Sequence, residues 1–293
     1  MDSKKRKYGF VDFFGGYIDN LGQLTIVNLI FCVPMIFFIG ILYLLNMAGF
    51  VNLPIILLAI PFMSPFLAGL FYVVLKVTRQ EKIKPVRDFV KGIKENARYF
   101  LINSVIVYII TFGLSLAFSL YYSAESNVFL ILSFIFTIIF TVFFVFMENS
   151  ILTMTVSVEL KFFDMIKNSV VLVPGGFLNH LKVLLSFIAL AIFMLTFNMF
   201  SRGILRIVMI VIPFLLFLPV FSAYIIVFLT YQSVEMRVIE PFQPQDENKN
   251  MDDDYMADMN TEELEKLAQG DPDEFVYLNG KMLRRSAIKK MLE

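Results

Sequence analysis

The chain has 293 residues, of which 58% are hydrophobic, with a mean hydropathy of +0.74 and a formal net charge of zero. Soluble domains contain about 45–50% apolar residues, so this composition excludes an ordinary soluble protein and indicates a membrane protein. The single cysteine, Cys32, excludes an intramolecular disulfide, and the single histidine, His180, excludes a metal centre with several histidine ligands. The net charge of zero is the sum of a basic membrane part and an acidic tail.

Six apolar segments are long enough to cross the roughly 30 Å hydrocarbon core of a bilayer as helices. They are residues 24–45, 51–75, 99–120, 128–154, 181–200 and 204–231. They predict an all-α, polytopic membrane domain over residues 1–240. Pro61 and Pro65 should kink or break the second span, and Pro213 and Pro219 should bend the sixth. Broken helices expose backbone groups to substrates in transporters, but prolines are also common in membrane helices whose neighbours satisfy those groups.

Basic residues are concentrated on one side of the predicted spans. That side carries fifteen of them: four near the N-terminus, eight in Lys76–Arg98 and three in Lys161–Lys182. The other side carries only Arg202 and Arg206, which could bind an anionic group but more simply anchor the chain at the interface. The positive-inside rule therefore predicts a multi-pass cell-membrane protein with both termini in the cytoplasm.

An amphipathic pattern precedes three pairs of spans. It predicts helices at Phe10–Leu21, Val86–Ala97 and Phe162–Val173 that lie on the cytoplasmic membrane surface or pack beneath the bundle. Their aspartates, Asp12, Asp88 and Asp164, are separated by equal intervals of 76 residues. The pattern predicts three repeats, each an interfacial helix followed by a helical hairpin. Charged amphipathic segments are also common on the cytoplasmic side of any polytopic protein, which leaves coincidence as the alternative.

Glu148 is the one carboxylate within a predicted span, which makes it a candidate functional residue. It follows Val128 by 20 residues, so an untilted helix would carry it about 30 Å, to the cytoplasmic interface. A tilted helix would bury it and continue a polar stripe through Asn149, Thr153 and Ser157, although such stripes are more often helix-packing contacts. The sequence therefore offers four candidate functional residues: Glu148, Asn149, Pro61 and Pro65.

Residues 241–293 form a separate tail. Gln243–Asp258 is an acidic linker without the glycine and closing glutamate of a calcium loop, and we expect it to be disordered. Thr261–Gln269 predicts a short helix, and Phe275–Leu283, centred on Asn279-Gly280, predicts a hairpin. Ser286 should cap a last basic helix. This basic element could dock on a partner, on the protein's own cytoplasmic loops or on anionic lipid.

Apolar motifs in the first hundred residues carry a family resemblance. They are Asn28-Leu29-Ile30 before Pro34, Pro65-Phe66-Leu67-Ala68-Gly69-Leu70-Phe71-Tyr72-Val73-Val74, Lys76, Arg79 and Asp88-Phe89-Val90-Lys91-Gly92-Ile93-Lys94-Glu95-Asn96. Together they resemble the YesL-like family of bacterial membrane proteins, a domain of unknown function. The resemblance implies a link with carbohydrate uptake, because genes of that family commonly lie beside sugar-uptake and glycan-degradation genes. It implies no catalytic residues. The chain departs from the family pattern by an extra apolar stretch, Met47–Ile60, and by its long tail.

We therefore expect a non-enzymatic integral membrane protein, an accessory or regulatory component linked to carbohydrate uptake. Its expected partners are the lipid bilayer and a sugar-transport system. A small secondary transporter or channel is the alternative, favoured by the repeated units and the proline-interrupted spans. The sequence contains no glycine-rich phosphate loop and no recognisable set of nucleophile, base and orienting residue. We expect no cofactor, no bound metal and no nucleic-acid partner.

Overall fold

The structure is a computed structural model that describes residues 9–123, 127–239, 266–278 and 281–292. The first half contains α1 (Phe10–Asp19), α2 (Leu21–Met47), α3 (Leu53–Leu57), α4 (Ala59–Thr78), α5 (Pro85–Ser123) and α6 (Val128–Ser157). The second half contains α7 (Phe162–Gly175), α8 (Phe177–Phe200), α9 (Ile204–Leu216) and α10 (Leu218–Val234), which continues as a π-helical turn, Glu235–Ile239. The tail contains β1 (Phe275–Leu278), β2 (Lys281–Arg284) and α11 (Arg285–Leu292). The basic N-terminal cluster, the acidic linker, the Asn279-Gly280 turn and most of the predicted helix Thr261–Gln269 lie outside the described residues.

Within the described ranges, six helical segments are long and apolar enough to cross a membrane. They are Leu21–Met47, Leu53–Thr78, Pro85–Ser123, Val128–Ser157, Phe177–Phe200 and Leu218–Ile239, and α9 is a shorter apolar helix. The predicted helical fold with six long apolar helices is confirmed, and these helices indicate a multi-pass membrane protein. The predicted tail hairpin is also confirmed, because β1 and β2 pair antiparallel from Phe275 opposite Arg284 to Leu278 opposite Lys281.

The bundle is densely packed at one end only. We call this end, which carries α1, α7 and the α4–α5 connection, the base, and the opposite end the far end. In the described residues, the last fully buried position of α5 is Ser104, the first of α6 is Phe146, and the last of α8 is Val183. The far halves expose apolar side chains, as expected where lipid rather than water surrounds the helices and gives them little reason to pack together.

The three helices that return to the base, α4, α6 and α10, lie at the centre and each contacts the other two. Leu75 of α4, Met154 of α6 and Val227 of α10 belong to one buried apolar cluster. The helices α2, α5 and α8 pack around this centre. The core of the protein therefore lies between the return helices, towards the base.

The predicted division between a surface helix, Val86–Ala97, and a separate third span is wrong. α5 is one continuous helix of 39 residues, about 58 Å long. No proline or glycine occurs from Ile93 to Phe112, so the amphipathic turns continue directly into the apolar ones. By contrast, α1 and α7 are separate helices, each joined to the following span through one residue, Asn20 or Gly176.

Two helix contacts repeat in different parts of the bundle. Gly92 of α5 lies against Tyr72 of α4, and Gly16 of α1 lies against Tyr224 of α10, so that a Cβ atom at either glycine would be within 3 Å of the tyrosine. Four residues after each glycine an asparagine side chain donates to that glycine's carbonyl. The two bonds are Asn96 Nδ2 to Gly92 O at 3.1 Å and Asn20 Nδ2 to Gly16 O at 2.9 Å.

The helix-start aspartates also play similar local roles. Asp12 accepts a hydrogen bond from the backbone N–H of Gly9 at 3.0 Å, which closes the first turn of α1. Asp88 accepts one from the N–H of Lys84 at 2.7 Å and also pairs with Lys76 at 3.0 Å. Asp164 lies in the first turn of α7. Acidic side chains at these positions stabilise helix N-termini.

Candidate functional site

Glu148 is held against α5 by an asparagine. Its carboxylate accepts a hydrogen bond from Asn103 Nδ2 at 2.7 Å. Asn103 lies 20 residues before the end of α5 at Ser123, and Glu148 lies 20 residues after the start of α6, so antiparallel pairing brings them to equal depth, about 30 Å from the far end. Asn103 is buried and Glu148 is half-buried. The carboxylate therefore lies near the base side of its span, in contact with a buried amide rather than free in water.

The polar stripe after Glu148 packs α6 against α10. Asn149, Thr153 and Ser157 are all buried. The Thr153 hydroxyl lies 2.9 Å from the Asn149 carbonyl and 2.6 Å from Oγ1 of Thr230 in α10. Ser157 donates to the carbonyl of Thr153 at 2.8 Å. Thr153 thus connects α6 with α10, whereas the other two bonds lie within α6.

The sequence predicts that Pro61 and Pro65 kink or break the second span. In the structure they do not break it. α4 continues through both prolines, and the interruption lies earlier, at Leu58 between α3 and α4. Pro65 has no N–H to donate to the carbonyl of Pro61, and the hydroxyl of Ser64 donates to it instead at 2.9 Å. The side chain compensates locally, so the helix tolerates the proline.

The predicted sixth span, residues 204–231, is divided at Phe217 into α9 and α10, and Asn28 of α2 joins the two helices. Pro219 has no N–H for the carbonyl of Leu215. Asn28 Nδ2 donates to that carbonyl at 2.7 Å and to the carbonyl of Phe214 at 3.0 Å, while Asn28 Oδ1 accepts from the N–H of Val220 at 2.9 Å. We call this arrangement the Asn28 clamp. Backbone groups interrupted inside a span must be satisfied by protein, and one fully buried asparagine satisfies three of them.

The single histidine lies between α6 and α8. His180 is fully buried; its ring stacks on Phe146 with centroids 5.3 Å apart, and its Nε2 lies 3.3 Å from Ser150 Oγ. Within the described part of the chain, Nδ1 of His180 has no hydrogen-bond partner. These contacts join α8, which carries His180, to Ser150 and Phe146 of α6.

A buried arginine lies at the base. Arg79 ends α4; its Nε donates to the hydroxyl of Tyr231 at 3.0 Å, and its guanidinium carbon lies 5.2 Å from the centre of the Tyr231 ring. The cation also favours the C-terminal end of α4. Arg79 belongs to the positive side of the predicted topology, but its burial depends on α10, which lies about 150 residues away in sequence.

The sequence patterns do not indicate that four polar residues connect helices. They are Asn28, Asn103, His180 and Arg79. Each is a polar residue in or beside an apolar segment, which is the one signal that could have marked them. Their partners lie on other helices and become visible only once the helices are paired. Among the described residues, no group of three or more His, Cys, Asp or Glu side chains is placed to hold a metal ion.

Comparison of the chain with family models, curated proteins and solved structures gives no match. The resemblance to the YesL-like family therefore rests on the motif residues quoted above.

Proposed function

We propose that residues 1–240 consist of three copies of one unit, an aspartate-bearing amphipathic helix followed by two spans. The equal 76-residue intervals between the aspartates support this, and further residues follow the same interval. Gly16 and Gly92, and Asn20 and Asn96, are one interval apart, whereas Tyr72 and Tyr224, and Pro61 and Pro213, are two intervals apart. The glycine–tyrosine and asparagine–glycine contacts connect residues with the same relative positions.

In the proposed arrangement each unit packs on the return helix of the unit before it. α5 packs on α4, α7 on α6, and α1 with α2 on α10. The residue after each aspartate makes this contact. The Phe13 ring centre lies 4.9 Å from that of Tyr224, Phe89 lies against Gly69, and the sulfur of Met165 lies 3.4 Å from the Thr155 hydroxyl. The last unit closes on the first, which gives a pseudo-threefold ring around α4, α6 and α10.

The proposed orientation places the base, both termini and the tail in the cytoplasm. The fifteen-to-two distribution of basic residues supports it. The far end, with its exposed Arg202, then faces outside.

In this arrangement the protein is a non-enzymatic accessory or regulatory component of the cell membrane. The observation that carries this proposal is the packed centre: towards the base, apolar side chains of all three return helices fill the place where a transport pathway along a pseudo-threefold axis would run. A stable, filled scaffold suits a subunit that binds and positions other membrane proteins. The link with carbohydrate uptake, and a sugar-transport system as the partner, come from the YesL-like resemblance alone.

A small secondary transporter is the second candidate, favoured by the Asn28 clamp. Transporters place substrate and ion sites at discontinuous helices, and α9 and α10 form such a helix with an interrupted backbone at Phe217. Here the three freed backbone groups are bonded to Asn28, so a substrate would have to displace this side chain.

Reconstitution separates the two candidates. The full chain, purified and placed in liposomes, should take up no labelled mono- or disaccharide above protein-free vesicles, while cross-linking in bacterial membranes should capture subunits of a sugar-transport system. Uptake by the protein alone that is lost in Asn28→Ala but kept in Asn46→Ala would establish the transporter instead. Absence of both uptake and captured partners would contradict both candidates.

A further inference from the structure

We propose that the segment joining α6 to α7 is a docking slot for an extended peptide strand, and that the tail is its removable, intramolecular ligand. The slot is formed by Val158, Glu159 and Leu160. Val158 forms a parallel bridge with Met282 of β2, and the N–H of Glu159 donates to the carbonyl of Met282 at 2.8 Å. Strand addition of this kind uses main-chain bonds for affinity and side-chain pockets for selectivity. This inference is independent of the proposed accessory role.

The side-chain pocket of the slot holds a methionine. Met282 is 1% exposed and belongs to the apolar cluster of the bundle, together with Val158, Leu160 and Ile239. Phe275 and Tyr277 of β1 pack against the same cluster. Because side chains alternate along a strand, one face of the hairpin lies on the bundle. The slot therefore selects an extended segment with one long apolar side chain inserted under the return helices.

The other face of the hairpin builds a small module. We use the name tail module for residues 266–278 and 281–292. Val276 packs with Ile288, Leu267 and Ala268, and two ion pairs, Arg285 with Glu274 and Arg284 with Asp273, connect its parts. A single hairpin with one short helix is too small to fold stably alone in water. The tail module therefore folds only when it is docked in the slot, so docking and folding occur together.

The arginines of the tail module help to distinguish a peptide slot from a surface that binds anionic lipid. Arg284 and Arg285 are already paired with acidic residues of the module at 2.9 and 2.8 Å. The basic cluster of the tail consists of five residues, Lys281, Arg284, Arg285, Lys289 and Lys290. Two of them are thus partly neutralised, and the described contacts of the module with the rest of the chain are apolar and main-chain. These contacts favour a peptide slot over a lipid-binding patch.

The slot and the tail module belong to one chain, so their docking is intramolecular. An intramolecular ligand acts at an effective concentration of the order of 1 mM. A peptide strand in trans therefore competes only at millimolar concentration or with a better fit than the protein's own tail. A partner that presents such a strand beside the base would displace the tail module.

Hydrogen exchange on the full chain tests this proposal. Met282→Asp should remove the module from the slot and raise the exchange rate of the Glu159 amide at least tenfold, with the α6 amides unchanged. A synthetic peptide of residues 266–293 with the natural sequence, added at about 1 mM, should restore protection. The same peptide carrying Met282→Asp should not. Lys289→Asp, at an exposed position of α11, is the matched control and should leave exchange unchanged.

A cysteine pair tests the same contact without placing a charge in the pocket. Val158→Cys with Met282→Cys in the full chain should cross-link, and Val158→Cys with Asp273→Cys, at an exposed position, should not. The natural peptide should slow cross-linking of the first pair. Failure to cross-link, or no effect of the peptide in either experiment, would overturn the proposal. Slower cross-linking with vesicles of anionic lipid but not with the peptide would also overturn it, because lipid would then be the competing ligand.

Discussion

Gly92 of α5 and Tyr72 of α4 approach so closely that a Cβ atom on Gly92 would lie 2.5 Å from the Tyr72 Cβ atom. The partner glycine, Gly69, is equally constrained, because its Cβ would lie 2.6 Å from the carbonyl oxygen of Phe89. Small residues at such positions allow the backbones of membrane helices to come together. The contact fixes the base half of α5 against α4.

Gly92→Ala should therefore destabilise the protein by about 1–3 kcal/mol, because the added methyl group forces the two helices apart. Gly113→Ala is the control in the same helix, since nothing lies within 4 Å of its Cβ position, and it should be neutral or stabilising by up to about 1 kcal/mol. The chain has no tryptophan, so thermal unfolding in detergent is best followed by circular dichroism. Equal effects of the two substitutions would show that the contact is not tight.

Asn28→Ala should destabilise the protein more than any exposed asparagine substitution. It removes the acceptor of the Val220 N–H and the donor to two carbonyls, and each buried group left unsatisfied costs about 1–3 kcal/mol. Asn46→Ala, at an exposed position near the other end of the same helix, should change the unfolding temperature little. Unfolding curves of the two variants that coincide would rule out the Asn28 clamp.

Glu148→Gln should fold and express normally. The glutamine carbonyl can still accept the hydrogen bond from Asn103, whereas Glu148→Leu leaves the buried Asn103 amide without its acceptor at a cost of about 1–3 kcal/mol. The comparison uses expression level and unfolding temperature of both variants. A large loss of expression or of any measured activity in Glu148→Gln would instead indicate that the carboxylate itself has a functional role.

Reporter fusions test the proposed orientation. Fusions after Asn46, Ser123 and Arg202 should report an outside location, and fusions after Lys84, Lys167 and Glu240 an inside one, because the basic residues collect at the base. A consistent inversion at the second outer connection, Ser123, would reject six spans with this orientation.

α1 should lie in the membrane interface. Phe13 and Tyr17 face α10, whereas Val11 on the other side is 81% exposed, which suits contact with lipid. A spin label at Val11→Cys should be reached by oxygen from the bilayer, and one at the exposed Asp19→Cys by a water-soluble relaxation agent. The natural cysteine, Cys32, is buried and should not react. Equal, water-like exposure at both labels would exclude an interfacial position.

Local patterns predicted the elements but not their connections. Asn279-Gly280 marks a hairpin by turn chemistry alone, and the length of the apolar segments gives the six spans. The division of the sixth span at Phe217 could not be placed from Pro213 and Pro219. It depends on Asn28, a residue almost 190 positions earlier, that supplies the donors which the interrupted helix lacks.

The candidate site was predicted less completely for the same reason. Glu148 was visible as a carboxylate within an apolar segment, but its depth and its bond to Asn103 require the antiparallel pairing of α5 and α6. The sequence predicts that Pro65 disrupts its helix, because a proline has no backbone N–H to donate. Ser64, whose hydroxyl donates to the carbonyl of Pro61 in place of that N–H, is adjacent in sequence. The rotamer of its side chain, however, is determined only in the folded helix.

The unbroken length of α5 gives the protein a mechanical lever. A rigid helix of about 58 Å that tilts by 10° about its base moves its far end by about 10 Å. The α4–α5 connection, held by Lys76 and Asp88, lies at one end of this lever, and Ser123 lies at the other. A force applied at Ser123 is thus delivered as torque at the Gly92–Tyr72 contact, near the base of the bundle.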